Sequence, residues 1–236
     1  KFYLQVWVML GVAAAAGLAW VWASLRRVSV ITRVVWEAAF ALLLFGVLLY
    51  PIFATWGRVN DRFDRAVGPT LDGMAYMNTA TYSDAPDGRP VANYALKWDR
   101  DAIQWMEQNI PGTPVILEAH TPEYRWGSRV SIYTGFPTVV GWSNHQRQQR
   151  SALTTPVVDQ RGSDVKLMFD TPDANRALDL MRRYNVGYVY VGPTEKAYYR
   201  PEGLAKFERM AQQGQLEKVY SNQEVTNYRV VGGTPG

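Results

Sequence analysis

The chain has 236 residues, which leaves room for one or two domains. Its net charge of +4 is small and dispersed, which argues against a nucleic-acid-binding protein but is compatible with anionic lipid headgroups. It contains no cysteine, so disulfides give no evidence about its cellular compartment.

Two long apolar segments open the chain, at residues 2–25 and 34–56. The first carries no charge, and the second carries only Glu37, near its start. About 20 consecutive apolar residues span a bilayer as a helix, and two such segments in tandem are hard to bury in a small domain. The first segment also differs from a signal peptide, because a second apolar segment follows it at once. The pattern predicts two transmembrane helices in the cell membrane.

The short link between these segments indicates their orientation. It contains Arg26, Arg27 and Arg33 but no acidic residue, which is typical of a cytoplasmic loop. Both ends of the chain, and with them residues 57–236, are then expected on the extracytoplasmic side. Because the sequence begins with Lys1 instead of methionine, we interpret it as the processed or truncated end of a longer, multi-span polypeptide.

Residues 57–236 have the pattern of a water-soluble domain, with a lead-in segment at 57–97. Helices and strands alternate along it, which favours a layered α/β domain with a mixed or parallel sheet. Asp99 is predicted to cap the first helix, and Thr171-Pro172-Asp173 to begin the second. The predicted helices are 98–109, 171–184 and 204–213, and the predicted strands are 115–117, 164–169, 186–191, 216–220 and 225–231.

The most unusual segment is Glu118–Arg150, in which both histidines of the chain and four arginines alternate with tryptophan and tyrosine. Its glycine and proline turns indicate loops, where binding sites usually lie. Arginine binds phosphate, a helix beginning near Ser143 would add its N-terminus, and aromatic rings stack on sugars. The segment predicts a site for an anionic, partly flat ligand, formed by Glu118, Tyr124, Trp126, Arg129, Trp142, His145, Arg147 and Arg150.

Several of these residues also have a structural interpretation. A surface helix with solvated arginines explains Arg147 and Arg150 equally well. Core packing is favoured for at least one of Trp126 and Trp142, because large aromatic side chains are usually buried.

Other types of site are less favoured by the sequence. Glu118, His120 and Glu123 have a spacing seen in loop metal sites, but a structural or ligand-contacting role is favoured over metal. The chain has no GxxxxGK, GxGxxG, HExxH, CxxC or GxSxG motif, which removes the commonest nucleotide, zinc and serine-hydrolase classes. The residues therefore indicate no catalytic group, no metal site and no particular cofactor.

Four segments together resemble one protein family: LDGMAYM, DRDAIQWMEQNIPGTPVILEA, PEYRWGSRVSIYTGFPTVVGWSNHQRQQR and RYNVGYVYVGPTEKAYY. They are similar to the C-terminal region of the bacterial and archaeal YYY membrane proteins, roughly from Pro51 to Phe207. The layout of that family resembles GT-C membrane glycosyltransferases, which implies many spans, a C-terminal extracytoplasmic domain and polyprenyl-phosphate sugar donors. The essential acid of such enzymes lies in an early extracytoplasmic loop, so the resemblance implies that this chain is not catalytic alone.

Two functional hypotheses follow. In the first, the chain is the membrane-anchored C-terminal part of a GT-C-like protein and binds a lipid-phosphate-linked sugar or an acceptor glycan. If the protein is part of an enzyme, that enzyme is then a membrane glycosyltransferase. In the alternative, the chain is a non-enzymatic accessory subunit of a larger respiratory or photosynthetic membrane complex. Its spans would then pack on partner helices through the small residues Gly11, Ala13–Ala16 and Gly17.

Overall fold

The computed structural model describes residues 2–62, 64–86, 88–150 and 156–232. The chain divides into two compact units, Lys1–Gly68 and Pro69–Gly236. Each unit is described by itself below.

The first unit consists of the two predicted apolar helices. Helix α1 is Phe2–Ser24, a short 3-10 helix covers Leu25–Arg27, and helix α2 is Val30–Arg62. Both long helices have the length and apolar composition needed to cross a membrane. The ring of Trp22 on α1 lies edge-on to that of Trp36 on α2, with centroids 5.8 Å apart.

Helix α2 is longer than the segment predicted to cross the bilayer. It continues past the predicted end at Trp56 through two arginines, Arg58 and Arg62. Its 33 residues correspond to a length of about 50 Å, whereas the apolar core of a bilayer is about 30 Å thick. The apolar part of α2 therefore suffices to span a bilayer, and its last turns are polar.

The second unit begins with a lead-in that contains two strands the sequence did not predict. A short 3-10 helix covers Ala75–Asn78. Strand β1 (Thr81–Asp84) then pairs antiparallel with strand β2 (Ala92–Ala95). These strands were missed because each has only four residues, most of them small or polar.

The main sheet of the second unit is mixed, as predicted. Among the described residues it is formed by β3 (Val115–Leu117), β4 (Val186–Val191), β5 (Leu216–Ser221) and β6 (Thr226–Val230), in the order β3-β4-β6-β5. Strands β3 and β4 are parallel, whereas β6 is antiparallel to both β4 and β5.

Helices cover both faces of this sheet. They are α3 (Lys97–Asn109), α4 (Arg129–Thr134), α5 (Ser143–Gln149), α6 (Pro156–Asp170), α7 (Ala174–Arg183), α8 (Pro193–Tyr198) and α9 (Pro201–Gln212). Successive side chains of a strand point to opposite faces of the sheet. Neighbouring strand residues therefore pack into two separate hydrophobic cores. Ile116 and Tyr190 pack with residues of α3 and α4, whereas Leu117 and Val189 pack with residues of α6, α7 and α9. The domain is a layered α/β fold.

The predicted strand at 164–169 is wrong, because these residues form the second half of helix α6. Val158, Val165 and Phe169 are all buried in this helix, and their separations of seven and four residues fit the helical period. A window of six residues was too short to distinguish this spacing from a buried strand.

The two predicted helix caps have different outcomes. Asp173 caps α7, because its side chain accepts hydrogen bonds from the backbone amides of Asn175 and Arg176. The helix itself begins at Ala174, two residues after the predicted proline start. The cap at Asp99 is wrong, since this residue lies inside α3, two positions after Lys97, with a fully buried side chain.

Helix α9 crosses the end of α6 at very short distance. A Cβ atom at Gly203 would lie 2.3 Å from the carbonyl oxygen of Phe169, so only glycine fits there without movement of the backbone. Lys206, also buried, donates hydrogen bonds to the carbonyls of Phe169 and Gly203 at 3.0 and 2.8 Å. Burial lowers the pKa of Lys206 to about 7. This contact therefore fixes α9 against α6.

Candidate functional site

The candidate site lies at the edge of the main sheet where the parallel strands β3 and β4 end. The chain leaves β3 at Glu118 and leaves β4 at Gly192. Glu195 of α8 connects the two ends, because its carboxylate accepts hydrogen bonds from the amides of Ala119 and Gly192, both at 2.8 Å. The carboxyl edge of neighbouring parallel strands is where α/β domains usually bind ligands.

A buried ion cluster, formed by Arg129, Asp99 and Glu195, lies beneath this edge. Nη2 of Arg129 is 2.7 Å from Oε2 of Glu195, and its Nε is 2.9 Å from Oδ2 of Asp99. All three side chains have a relative exposure of 0%. Although burial disfavours its charge, Asp99 and Glu195 raise the pKa of Arg129 well above its usual value. The guanidinium therefore stays charged inside the domain.

Two aromatic side chains satisfy the remaining acceptors of Asp99. Tyr190 donates its hydroxyl to Oδ1 at 2.7 Å, and Trp126 donates its indole N–H to Oδ2 at 2.8 Å. The guanidinium carbon of Arg129 also lies 4.7 Å from the centroid of the Tyr190 ring. Ion pairs and hydrogen bonds together make a buried charge tolerable, so these contacts fix α3, α4 and β4 relative to one another.

Glu118 is a second buried acid at the same edge. Its carboxylate accepts hydrogen bonds from the backbone amides of Val130 at 2.8 Å and Ser131 at 3.2 Å. Burial raises the pKa of Glu118 to about 7, against the opposing effects of these amides and of Arg129. The carboxyl group connects the end of β3 to the first turn of α4, and it changes its charge near neutral pH.

Replacement of Glu118 with glutamine is expected to change how stability depends on pH. The folded protein holds a proton on Glu118 up to a pKa of about 7, whereas the unfolded chain releases it near 4.5. The stabilisation is therefore complete below pH 4.5 and is lost as the pH rises through 7. Relative to Glu118→Gln, wild type should lose on the order of 3 kcal/mol of unfolding free energy over this range. Urea unfolding of both proteins from pH 4.5 to 8 measures the difference, and parallel pH profiles would contradict it.

Three residues predicted to contact a ligand lie instead in the scaffold. Glu118 and Arg129 are buried, and their polar atoms are engaged by backbone amides and carboxylates. Trp126 is half-buried and packs in the core beside α3. The preference for core packing of one tryptophan is thus confirmed for Trp126. The arrangement favours a structural role for all three residues over direct ligand contact.

A cleft with basic walls opens above this scaffold, with a volume of about 720 Å³. We call it the basic cleft. His120, Thr121 and Ser143 contribute to its floor and walls, together with Glu123 and Tyr198. Its described lining also includes five cationic side chains, namely Arg89, Arg125, Arg147, Lys166 and Arg200.

The carboxylates that pair with these cations are partly hidden behind them. Lys166 is 66% exposed while its partner Asp170 is 13% exposed, and Arg125 is 45% exposed while its partner Asp84 is 0% exposed. Arg147 pairs with Asp159, and both of these side chains are accessible. Because two acids are shielded and their cations are not, the surface of the cleft presents positive charge to solvent.

A smaller pocket of about 380 Å³ overlaps the basic cleft, and we call it the inner pocket. The two share His120, Ser143, Arg147, Lys166 and Tyr198. Nε2 of His120 lies 2.7 Å from the hydroxyl oxygen of Ser143. Burial lowers the pKa of His120, Glu123 opposes this effect and Arg147 adds to it. The imidazole is therefore neutral at pH 7, and Arg147 and Lys166 line the same pocket.

An aromatic cluster, formed by Tyr124, Trp142 and His145, adjoins the basic cleft. Ring centroids are 5.2 Å apart for Tyr124 and Trp142, and 5.4 Å apart for Trp142 and His145. Tyr124 is 70% exposed and has a φ of 64°, an unusual conformation for an aromatic residue. It is the chain neighbour of Glu123 and Arg125, which both line the cleft. The cluster therefore presents one exposed ring, Tyr124, packed on two half-buried rings beside a cationic surface.

The two arginines of the predicted helix have different locations. The helix near Ser143 is confirmed as α5, Ser143–Gln149. Arg147 lines both the basic cleft and its inner pocket. Arg150, predicted to share the site, lines a separate pocket beside Val139 and Arg161. Arg147 and Arg150 are three positions apart in the sequence, yet they line different pockets.

Several residues of the basic cleft were absent from the predicted site. Arg125 and His120 lie within the segment singled out by its composition, so the sequence contained a signal for both. Arg89 comes from the lead-in, where it donates to the carbonyls of Ala197 and Tyr199 at 2.9 and 2.8 Å. Lys166 on α6 and Arg200 before α9 come from parts of the chain with no local pattern that marks a site.

The metal alternative finds no support in the described residues, among which no group of three or more potential metal ligands is found. Glu118 is directed to backbone amides, and the Oε1 atom of Glu123 accepts a hydrogen bond from the amide of Asn144 at 2.7 Å. These two carboxylates and His120 therefore have separate partners.

Comparison with known proteins finds similarity among solved structures. No family model matches the chain, and no curated protein sequence does. Among solved structures, the chain is similar to the C-terminal globular domain of an oligosaccharyltransferase from Archaeoglobus fulgidus, with a TM-score of 0.35 and 13% sequence identity. That similarity covers 56% of this chain and 95% of the archaeal domain. The resemblance to the YYY membrane proteins stays a prediction.

Proposed function

We propose that the basic cleft and the aromatic cluster together bind a sugar carried on a polyprenyl phosphate. The chain would then be the membrane-anchored binding part of a GT-C-like protein. The observation that carries this proposal is the position of Tyr124, an exposed aromatic residue whose two chain neighbours, Glu123 and Arg125, both line the basic cleft. A ligand with one anionic end and one sugar end fits such a pair of surfaces.

The cationic wall suits the phosphate of this ligand. Arginine and lysine form charge-assisted hydrogen bonds with phosphate oxygens, which are about twice as strong as neutral ones. Arg147 and Lys166 reach both the cleft and its inner pocket. A phosphate there would compete with Asp159 for Arg147, in a position open to solvent where an ion pair contributes little stability.

The aromatic cluster suits the sugar. Sugar rings present C–H groups on their faces, and tyrosine and tryptophan combine an apolar ring face with a polar tip. The hydroxyl of Tyr124 lies 3.2 Å from Nε2 of His145, which holds the exposed ring in place. Strained backbone conformations cluster at functional sites, and the positive φ of Tyr124 fits that tendency.

The two apolar helices suit a ligand that is itself embedded in a membrane. Anchoring in the same bilayer confines protein and lipid-linked sugar to one surface, which raises the effective concentration of each for the other. We assign the domain to the extracytoplasmic side of the cell membrane, because the link between α1 and α2 contains Arg26, Arg27 and Arg33.

The proposed task of the cleft is binding rather than chemistry. Glu123, the carboxylate that lines it, is engaged by the amide of Asn144. Glu118 lies in the scaffold beneath, with both oxygens on backbone amides. Neither acid is placed as a free general acid or base, so the ligand would be held here while any transfer reaction takes place elsewhere.

Replacement of Arg147 with alanine is expected to weaken binding of a short-chain polyprenyl-phosphate sugar by about tenfold or more. This corresponds to the loss of one charge-assisted hydrogen bond, roughly 1.5 kcal/mol. The dissociation constant is measured by isothermal titration calorimetry with the full chain in a neutral detergent. Arg150→Ala is the matched control, since it removes the same charge from the same helix end but from a different pocket.

Equal effects of the two substitutions would contradict the proposed site, because they would indicate a diffuse electrostatic attraction. Absence of binding by the wild-type chain, combined with its co-purification in a stoichiometric membrane complex, would favour the alternative of an accessory subunit.

A further inference from the structure

His120 lines both the basic cleft and the inner pocket. Its backbone amide donates to the hydroxyl of Tyr199 at 2.9 Å. On the other side its ring lies against α6, where a Cβ atom at Gly162 would be 2.8 Å from Cε1 of the imidazole. Since Ser143 contacts Nε2, two separate parts of the fold hold the ring and a third holds the backbone of His120.

The charged and titratable groups around His120 come from each of these parts. Glu123 in the loop after β3 favours its protonation, and Arg147 on α5 opposes it. Lys166 and Asp159 on α6 line the inner pocket with it, as do Tyr198 and Tyr199. Burial has the largest effect and keeps the ring neutral in the unliganded protein. An anion bound beside these groups would raise the pKa of the imidazole, because a nearby negative charge favours the imidazolium form.

A neutral imidazole and an imidazolium differ as ligands for phosphate. The neutral ring has one N–H donor and one acceptor nitrogen, and the acceptor would repel a phosphate oxygen. The protonated ring has two donors and a positive charge, and so it can form a charge-assisted hydrogen bond. Phosphate binding beside His120 is therefore expected to draw a proton onto the ring.

We propose that His120, Arg147 and Lys166 form the subsite for the phosphate diester of the ligand, and that binding is coupled to uptake of a proton by His120. The proposal rests on the function proposed above and adds to it the location of the phosphate and its linkage to pH. Affinity for the phosphate-linked sugar then rises as the pH falls. One linked proton limits this rise to about tenfold per pH unit.

The test uses the full chain in a neutral detergent and short-chain polyprenyl-phosphate glucose as the probe. Calorimetric titrations at pH 7 in two buffers with different ionisation enthalpies give the number of protons taken up. The expected result is a fractional uptake in wild type, with an affinity several-fold higher at pH 6 than at pH 8. His120→Gln should bind without proton uptake and with an affinity that does not change over this range.

A second measurement follows the wild-type chain directly. The chain contains two histidines, so ring signals of His120 in an NMR titration can be assigned by comparison with His145→Gln. Addition of the probe to wild type should raise the pKa of His120. An unchanged pKa in the presence of saturating probe would overturn the proposal.

The possible outcomes separate this inference from the proposed function. Binding without proton uptake, or with the same uptake in His120→Gln, would overturn the inference and leave the function standing. Absence of any binding would overturn both. Glycerophosphoglycerol, which carries the diester of a lipid headgroup, is a second probe. Tighter binding of glycerophosphoglycerol, with proton uptake, would support the subsite and assign it to lipid headgroups instead of the linked sugar.

Discussion

Replacement of Arg129 with alanine is expected to lower the free energy of unfolding by about 3–5 kcal/mol. The substitution would leave Asp99 and Glu195 as uncompensated charges in the interior, since both have a relative exposure of 0%. It would also remove the cation that lies over the ring of Tyr190. Urea unfolding of the full chain in detergent, followed by tryptophan fluorescence, measures this loss for the second unit.

The control for this experiment is an ion pair of the same chemical type at the surface. Arg229 pairs with Glu217, and both side chains are more than half exposed. Arg229→Ala is expected to cost less than about 1 kcal/mol, because solvent screens such a pair. Similar losses for Arg129→Ala and Arg229→Ala would contradict the structural role assigned to the buried ion cluster.

Pairwise coupling provides a further check on the same cluster. If Arg129 and Glu195 stabilise each other, Glu195→Gln should cost much less in an Arg129→Met background than in wild type. The difference between the two costs measures the interaction and should be at least 1 kcal/mol for a contacting charged pair. Additive losses would indicate that the two side chains act independently.

Replacement of Gly203 with alanine is expected to cost about 3 kcal/mol, near the upper end of the range for overpacking. The new Cβ atom would lie 2.3 Å from the carbonyl oxygen of Phe169 and 2.7 Å from Cα of Asp170. Both are backbone atoms, so relief requires α9 to move away from α6. That movement would also lengthen the hydrogen bonds that Lys206 donates to Phe169 and Gly203.

The matched control is Gly73→Ala, because a Cβ atom at Gly73 has no neighbour within 4 Å. Thermal unfolding of both variants in the same detergent should show a much lower midpoint for Gly203→Ala and little change for Gly73→Ala. Equal midpoints would show that the close contact between α9 and α6 is not present in solution.

Much of the fold could be predicted where one short-range pattern decides the structure. The two apolar helices were evident because their length exceeds what a small core can bury. Strand β4 was evident because an apolar run lies between turn residues. Helix α6 was not, since its buried residues include glycine and aspartate, Gly162 and Asp164, which interrupt an apolar pattern.

The candidate site was predictable only in part, because composition does not give the direction of a side chain. Arg129, Arg147 and Arg150 look alike in the sequence, yet the first is buried in an ion cluster and the others line separate pockets. Lys166 and Arg200 join the basic cleft through tertiary packing. No local pattern could place them there, since the fold brings them together from distant parts of the chain.

The central claim is that the basic cleft and the aromatic cluster bind a phosphate-linked sugar. Its most direct test is isothermal titration calorimetry of the wild-type chain in a neutral detergent. One titration uses polyprenyl-phosphate glucose, and the other uses the same glycolipid without the phosphate. The account predicts saturable one-to-one binding of the phosphate-linked sugar and binding at least tenfold weaker without the phosphate. Equal affinity for the two compounds, or no saturable binding of either, would contradict it.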